Sequence, residues 1–271
     1  MALIERVGSI VARIPLGYVN AYIVGSPAAW VLVDTGERRH AGQIRAAANA
    51  FAAGNPPQAI VLTHGHFDHA GSATELSAFW QVPVYAGLYE LPFLRRETAY
   101  PPPDPTVGGF YGWVANFVTM PECRFAAAVQ PLPADLAVIG LAGWRCLATP
   151  GHTPGHISLF HDEQRFLIAG DACLTIDFQS WIGSLTGWQT IAGPPAPYTL
   201  DWERTQASLQ TLALLEPHIL AGGHGKPMRG PHVAAALQRL AARNITPRRY
   251  RVHHHAGEWP QPGWCADQQF R

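Results

Sequence analysis

The stretch Ala59-Ile60-Val61-Leu62-Thr63-His64-Gly65-His66-Phe67-Asp68-His69 decides how this chain is read. Its first four residues are an uninterrupted apolar run with the length and composition of a buried strand. Where the run stops, His64, His66, Asp68 and His69 follow within six residues. Neutral imidazole nitrogen and carboxylate oxygen are the usual ligands of borderline divalent ions, zinc above all. His64 and His66 are two apart in an extended or tightly turned loop and can point the same way, while Asp68 and His69 can face a second point nearby. A merely polar turn would crowd these groups at a desolvation cost that nothing offsets. The stretch reads as half of a metal site at the end of a strand.

Composition narrows the classes. The 271 residues suit one large α/β domain, so a single domain over 1–271 is expected, and 48% hydrophobic residues can supply its core. Lys+Arg and Asp+Glu number 19 each, for zero net charge. That balance disfavours nucleic acid and anionic membrane as partners and leaves a small-molecule substrate. Lys226 is the only lysine, which argues against Schiff-base chemistry. Cys123, Cys146, Cys173 and Cys265 are scattered without a C-x-x-C pair, a pattern that suits a reducing compartment and offers no disulfide framework. No signal peptide or membrane-length apolar run is visible, so a cytoplasmic location is expected.

Read in order, short apolar runs at 10–14, 19–24 and 29–34 are expected strands, the third ending at Asp34-Thr35-Gly36. Asp34 can simply cap the helix after it. A helix is expected over 38–53, a strand over 59–62, a helix over 72–80 and a strand over 82–85. From about 91 to 133 the pattern loosens into an irregular insertion with the aromatics Phe110, Tyr111 and Trp113, either a surface loop or a pocket wall. Strands resume at 136–139, 144–148, 157–161, 166–169 and 218–221, with helices over 201–215 and 231–243 and an irregular tail from about 248.

Three of these later strands end in a glycine beside a further ligand type: Gly151-His152, Gly170-Asp171 and Gly223-His224. The candidate ligands exceed what one tetrahedral ion needs. Two ions would use them all, with His64, His66 and His152 on the first, Asp68, His69 and His224 on the second, and Asp171 bridging. His-x-His-x-Asp-His, then Gly-His, Gly-Asp and Gly-Gly-His-Gly in that order, resembles the metallo-β-lactamase superfamily from about Asn20 to Pro227.

The resemblance implies an α/β fold, an αββα sandwich of two mixed sheets flanked by helices, with the same ligand set at one edge. It places Asp34 where family members hold an acid near the metal loop, which can orient a ligand imidazole. It makes His152 the ligand and His156 a hydrogen-bonded neighbour. His40, His161, His218, His232 and His253-His254-His255 are expected to be surface or structural. Two divalent ions, zinc first and iron or manganese as alternatives, would hold a bridging hydroxide as nucleophile, and Asp68 would pass a proton to the leaving group. A catalytic thiol at Cys173 is the weaker reading.

The resemblance leaves the branch open. The stretch after His224 is shorter than the glutathione-binding domain of glyoxalase II, and no tyrosine follows Asp171 as it often does in the lactonases. The expected activity is hydrolysis of a small ester, thioester or lactone, with Phe67, Phe110, Tyr111, Phe178 and Trp181 as pocket residues. An iron-dependent oxidoreductase resembling the persulfide dioxygenases, a lactam hydrolase, and a binding protein with an idle site are the alternatives.

Overall fold

The structure, a computed structural model, describes residues 4–117, 128–251 and 262–265. The chain gathers into two compact units, one from Met1–Ala99 with Pro121–Trp144, the other from Tyr100–Met120 with Arg145–Arg271. Each is a mixed sheet carrying helices.

The first unit has a seven-stranded sheet in simple sequence order: β1 (Glu5–Arg6), β2 (Val11–Leu16), β3 (Val19–Ser26), β4 (Ala29–Val33), β5 (Ala59–Leu62), β6 (Val84–Ala86) and β7 (Val129–Pro131). β1 to β4 form an antiparallel meander, whereas β4, β5, β6 and β7 are parallel neighbours. Parallel strands need crossovers. Here α1 (Ala41–Ala52) supplies the first, and α2 (Phe67–Ala70) with α3 (Ala73–Trp80) the second, while α4 (Leu91–Leu94) lies in the chain between β6 and β7. Ile44, Ala47 and Ala48 recur on one face of α1 and pack with Leu76 of α3 onto Ile14, Leu32, Ile60 and Leu62 of the sheet. Trp30 sits fully buried in this layer, edge-on to Phe51 and Trp80 at 6.1 and 5.9 Å between centroids. Because β4 and β5 are parallel, Asp34 and Thr63 leave the sheet at the same edge.

The second unit contains α5 (Gly109–Val114), β8 (Trp144–Ala148), β9 (Ile157–His161), β10 (Phe166–Gly170), β11 (Leu174–Ile176), α6 (Trp181–Thr186), β12 (Gln189–Ala192), α7 (Trp202–Leu214), β13 (Ile219–Gly222), β14 (Met228–Arg229), α8 (His232–Ala241) and β15 (Gly263–Trp264). Six of its strands form one sheet in the order β14-β13-β10-β9-β8-β15, and β11 pairs with β12 apart from it. Leu209 and Leu212 of α7 and Val233 and Leu237 of α8 close over Leu167 and Leu220 of the sheet. The parallel pair β10 and β13 ends at Gly170 and Gly222, so Asp171 and His224 emerge side by side.

Some expectations change. Residues 136–139 form a 3-10 turn and not a strand, because the Asp135 carboxylate accepts the Ala137 amide hydrogen and Gly140, at φ 89°, ends the segment. The stretch 91–133 carries α4, a 3-10 turn at Pro105–Val107, α5 and the edge strand β7, with 118–127 outside the described residues. The expectation of no disulfide is corrected: Cys146 is bonded to Cys265, 119 residues away. The tail brings Cys265 there by pairing β15 with β8, Gly263 opposite Ala148. Cys123 and His253 to His255 lie outside the described residues. Among the described residues no helix is long and apolar enough to cross a membrane.

Candidate metal centre

In the first unit the candidate ligand residues hang from the end of β5. His64 and His69 are wholly buried, with His66 and Asp68 nearly so, and Phe67 is half-buried. His66 caps α2, where its carbonyl accepts the His69 and Ala70 amides at 3.0 and 2.9 Å. The loop after β4 cradles this turn. Thr35 donates its amide and its hydroxyl to the His69 carbonyl at 2.6 and 2.8 Å. Gly71 is required there, since a Cβ would lie 2.5 Å from the Arg38 nitrogen.

Asp34 organises the cluster. It is buried in a left-handed conformation, φ 60°, uncommon outside glycine and tolerated best by Asn and Asp. Its Oδ1 accepts the Thr63 amide at 2.8 Å, and its Oδ2 accepts the Thr63 hydroxyl at 2.8 Å and the His69 Nδ1–H at 2.9 Å. The donors fix the tautomers. Thr63 gives its only hydroxyl proton to Asp34, so at 3.1 Å its oxygen accepts from Nδ1–H of His64. His64 and His69 therefore both carry the proton on Nδ1 and the lone pair on Nε2. His64 Nε2 faces His66 Nδ1 at 3.1 Å, and His69 Nε2 faces Asp68 Oδ2 at 4.0 Å.

Glu90 completes this half. Fully buried at the end of a 3-10 turn, it accepts the Gly65 amide at 2.9 Å and so pins the peptide between His64 and His66. The sequence reading missed it, because a lone glutamate after Leu88-Tyr89 carries no motif.

In the second unit His152, Asp171 and His224 are all buried. His152 repeats the tautomer logic. Thr199 gives its hydroxyl proton to the Pro195 carbonyl at 3.0 Å, so its oxygen accepts His152 Nδ1–H at 3.2 Å. The His152 lone pair on Nε2 then turns toward Asp171 Oδ2, 3.6 Å away, and His224 Nε2 reaches the same oxygen at 3.2 Å. Gly151, at φ 134°, lets the loop pass against α7, where a Cβ would lie 2.3 Å from Thr205 Oγ1.

His156 has another task. Its Nε2 accepts the Asp171 amide at 2.9 Å, which puts the proton on Nδ1 facing Thr149 Oγ1 at 2.8 Å. Thr149 passes its hydrogen to Ser158 at 3.0 Å, and Ser158 to the Ala169 carbonyl at 3.1 Å. Both ring nitrogens are thereby engaged inside the fold, and the residue steadies the backbone of Asp171. Cys173 is buried too. Burial first, then the neighbouring Asp171 charge, pushes its thiol up to about 12, which disfavours the thiolate that a nucleophile needs.

Of the expected pocket residues, Phe110, Tyr111, Phe178 and Trp181 come together in the second unit, and Phe67 belongs to the first.

The donor set fits divalent cations. Bonds of about 2.0–2.1 Å at the tetrahedral angle separate two ligand atoms by about 3.3 Å. The separations of 3.1 Å for His64–His66, 3.2 Å for His224–Asp171 and 3.6 Å for His152–Asp171 bracket that value.

Comparison with known proteins supplies the last observations. The model of the metallo-beta-lactamase superfamily matches residues 14–224. A probable metallo-hydrolase of Bacillus subtilis, YflN, is 40% identical over 229 residues, covering 83% of this chain and 87% of that protein. The hydroxyacylglutathione hydrolase GloC of Haemophilus influenzae is 28% identical over 168 residues, 61% of this chain and 68% of that one. Among solved structures, TTHA1623 in a di-iron-bound form aligns with TM-score 0.53 at 25% identity, over 88% of this chain and 98% of that one.

Proposed function

The chain belongs to the metallo-β-lactamase superfamily and is a metal-dependent hydrolase, and we propose that it uses two divalent ions to hydrolyse a small ester, thioester or lactone. In this reading the ligand set serves two ions. His64, His66 and His152 hold the first, Asp68, His69 and His224 the second, and Asp171 lies between them. The family match spans every one of these residues, which supports counting them as one set.

The observation that carries the reading is Asp171 Oδ2 standing 3.6 and 3.2 Å from the Nε2 atoms of His152 and His224, a carboxylate oxygen shared by two imidazoles. When bound, the ions would supply Lewis acidity and lower the pKa of a water toward neutrality. The chain's own residues do the rest. Asp34 and Thr199 hold the imidazoles in the Nδ1–H tautomer, so that each Nε2 presents its lone pair. Glu90 and His156 fix the backbones of the Gly65 and Asp171 turns. Asp68, at the lip of the first cluster, would take the proton that the attacking water gives up and hand it to the departing oxygen or sulfur.

Zinc is proposed as the metal, with iron the alternative that the di-iron form of TTHA1623 suggests. The naming of GloC as a hydroxyacylglutathione hydrolase favours acyl-group hydrolysis. The substrate is a small molecule, with nucleic acid and membrane unsupported by a net charge of zero.

The test is a panel of chromogenic esters, thioesters and lactones offered to metal-free protein and to protein refilled with zinc, iron or manganese. Chelator-sensitive turnover with about two ions per chain is expected. Absence of turnover on every member with any metal would overturn the hydrolytic assignment. Iron-specific oxygen consumption would replace it with the oxidoreductase.

A further inference from the structure

Five aromatic side chains of the second unit are joined into one wall that begins at a proposed metal ligand. Phe178 stands edge-on to the His224 ring at 5.1 Å, and Tyr111 stacks flat on Phe178 at 4.4 Å and 6°. Phe110 adjoins Tyr111 at 6.2 Å and meets Trp181 at 4.6 Å and Trp113 at 6.4 Å. The wall grows exposed as it leaves His224: Phe178 is 7% exposed, Trp113 and Trp181 are 55% and 53%, and Ile182 and Leu185 are 70% and 75%. An apolar surface of this extent on a water-facing protein marks a place where something apolar binds.

Charge identifies the occupant. Residues 105–117 and 178–200, which supply these wall residues, contain no Asp, Glu, Lys or Arg. Within these segments a carboxylate or phosphate handle on a substrate would find no basic partner. An anionic lipid surface is equally unserved, since peripheral helices hold it with Lys and Arg beside the apolar face. What the wall can recognise is hydrocarbon, and its continuity with His224 puts that hydrocarbon on the molecule being cleaved.

We propose that the wall formed by α5, Phe178 and α6 binds the apolar acyl chain of the substrate, so that the preferred class is esters or thioesters of medium-chain acids. This rests on the hydrolase reading above, and the test separates the two.

With zinc-loaded protein, kcat/KM is measured for p-nitrophenyl acetate, butyrate, hexanoate and octanoate. A methylene half-buried on an open wall is worth about twofold, so about a 50-fold rise from acetate to octanoate is expected. In the double variant Trp113→Ser/Trp181→Ser, shown folded by an unchanged far-ultraviolet spectrum, the slope should fall by half or more. Independently of turnover, sodium octanoate should shift the tryptophan emission of metal-free protein where acetate does not, and the double variant should bind it at least tenfold more weakly. A flat chain-length profile in the wild type, with the acetate ester still cleaved, would overturn the acyl wall and leave the hydrolase standing. Octanoate binding without turnover of any ester would do the reverse. A double variant that keeps its slope, but loses self-association in sedimentation or binding to phosphatidylcholine vesicles, would assign the wall to a second copy or to lipid and also overturn the proposal.

Discussion

Replacing Asp34 by Asn tests the wiring of the proposed metal ligands at a single atom. Asparagine tolerates the left-handed backbone of this position, so the change isolates the hydrogen bonds. Oδ1 must remain the carbonyl oxygen, because the Thr63 amide 2.8 Å away can only donate. The new NH2 group therefore takes the place of Oδ2 and faces both the Thr63 hydroxyl and His69 Nδ1. To accept from it, His69 must move its proton from Nδ1 to Nε2. Thr63, no longer donating to Asp34, turns its proton toward His64, whose tautomer reverses as well. One substitution thus places hydrogens on two nitrogens that are proposed to bind metal. Restoring them breaks one hydrogen bond at each imidazole, about 1–1.5 kcal/mol apiece, so zinc affinity should fall roughly 100-fold, the upper end for a partner behind a ligand. Losing the carboxylate itself should cost the metal-free fold about 1–3 kcal/mol. Zinc competition against a chromophoric chelator reads the affinity, and long-range proton–nitrogen spectra of the metal-free protein read the tautomers. Wild-type zinc affinity in Asp34→Asn, or Nδ1–H signals retained at His64 and His69, would refute the hydrogen-bond logic.

Other outcomes come from separate parts of the structure. Asp171→Ala removes the oxygen shared by His152 and His224, and should at least halve bound zinc and lower ester turnover by about 100-fold or more; unchanged metal content would remove Asp171 from the set. Cys173→Ala should cost about 1–2 kcal/mol in the core beside Leu209 and leave turnover within about twofold, whereas a loss of a hundredfold would reinstate the thiol. At Asp104 burial raises the pKa, but bonds from Thr106 and the Arg251 backbone outweigh it and hold the carboxyl below its usual range. Its contribution is therefore complete above the unfolded value, about 4, and is lost as pH falls through the lower folded value. The stability gap between wild type and Asp104→Asn should be constant from about pH 7 to 5 and shrink below about pH 4, and denaturant melts that show the gap growing on acidification would contradict the sign. Peptide mapping without reductant should recover Cys146 joined to Cys265, and Cys265→Ser should lower stability by up to about 5 kcal/mol, the scale for closing a loop of this length.

Much of the fold was legible because it rests on short-range patterns. The strand at 59–62 is an apolar run and those at 144–148 and 157–161 are mostly apolar, bounded by Gly, Pro or ligand-bearing loops, and α1, α3, α7 and α8 repeat their apolar residues at helical spacing. What escaped was set by partners distant in sequence. β7 is three residues that become a strand only because β6 offers an edge, and β15 exists only against β8. The 136–139 segment has the composition of a strand, Leu-Ala-Val-Ile, but its capping aspartate outvotes it. The disulfide followed β15 into invisibility.

The site divides along a different line. The candidate ligands announce themselves because metal chemistry restricts them to few residue types, and glycine beside His64, His66, His152, Asp171 and His224 marks a sharp turn. The groups that aim those ligands are ordinary. Thr63, Thr199 and Glu90 act through one proton each, and their roles depend on where that proton goes, which no spacing rule encodes. Asp34 was found through resemblance, while its three bonds became visible only with coordinates. The same reasoning explains why Thr-Pro-Gly-His, which occurs twice in succession, has two functions. At His152 a threonine takes the Nδ1 proton and leaves Nε2 turned toward Asp171. At His156 the Asp171 amide occupies Nε2 itself. Identical tetrapeptides diverge because one backbone amide lies within reach of the second ring, and that amide belongs to the residue the first ring faces.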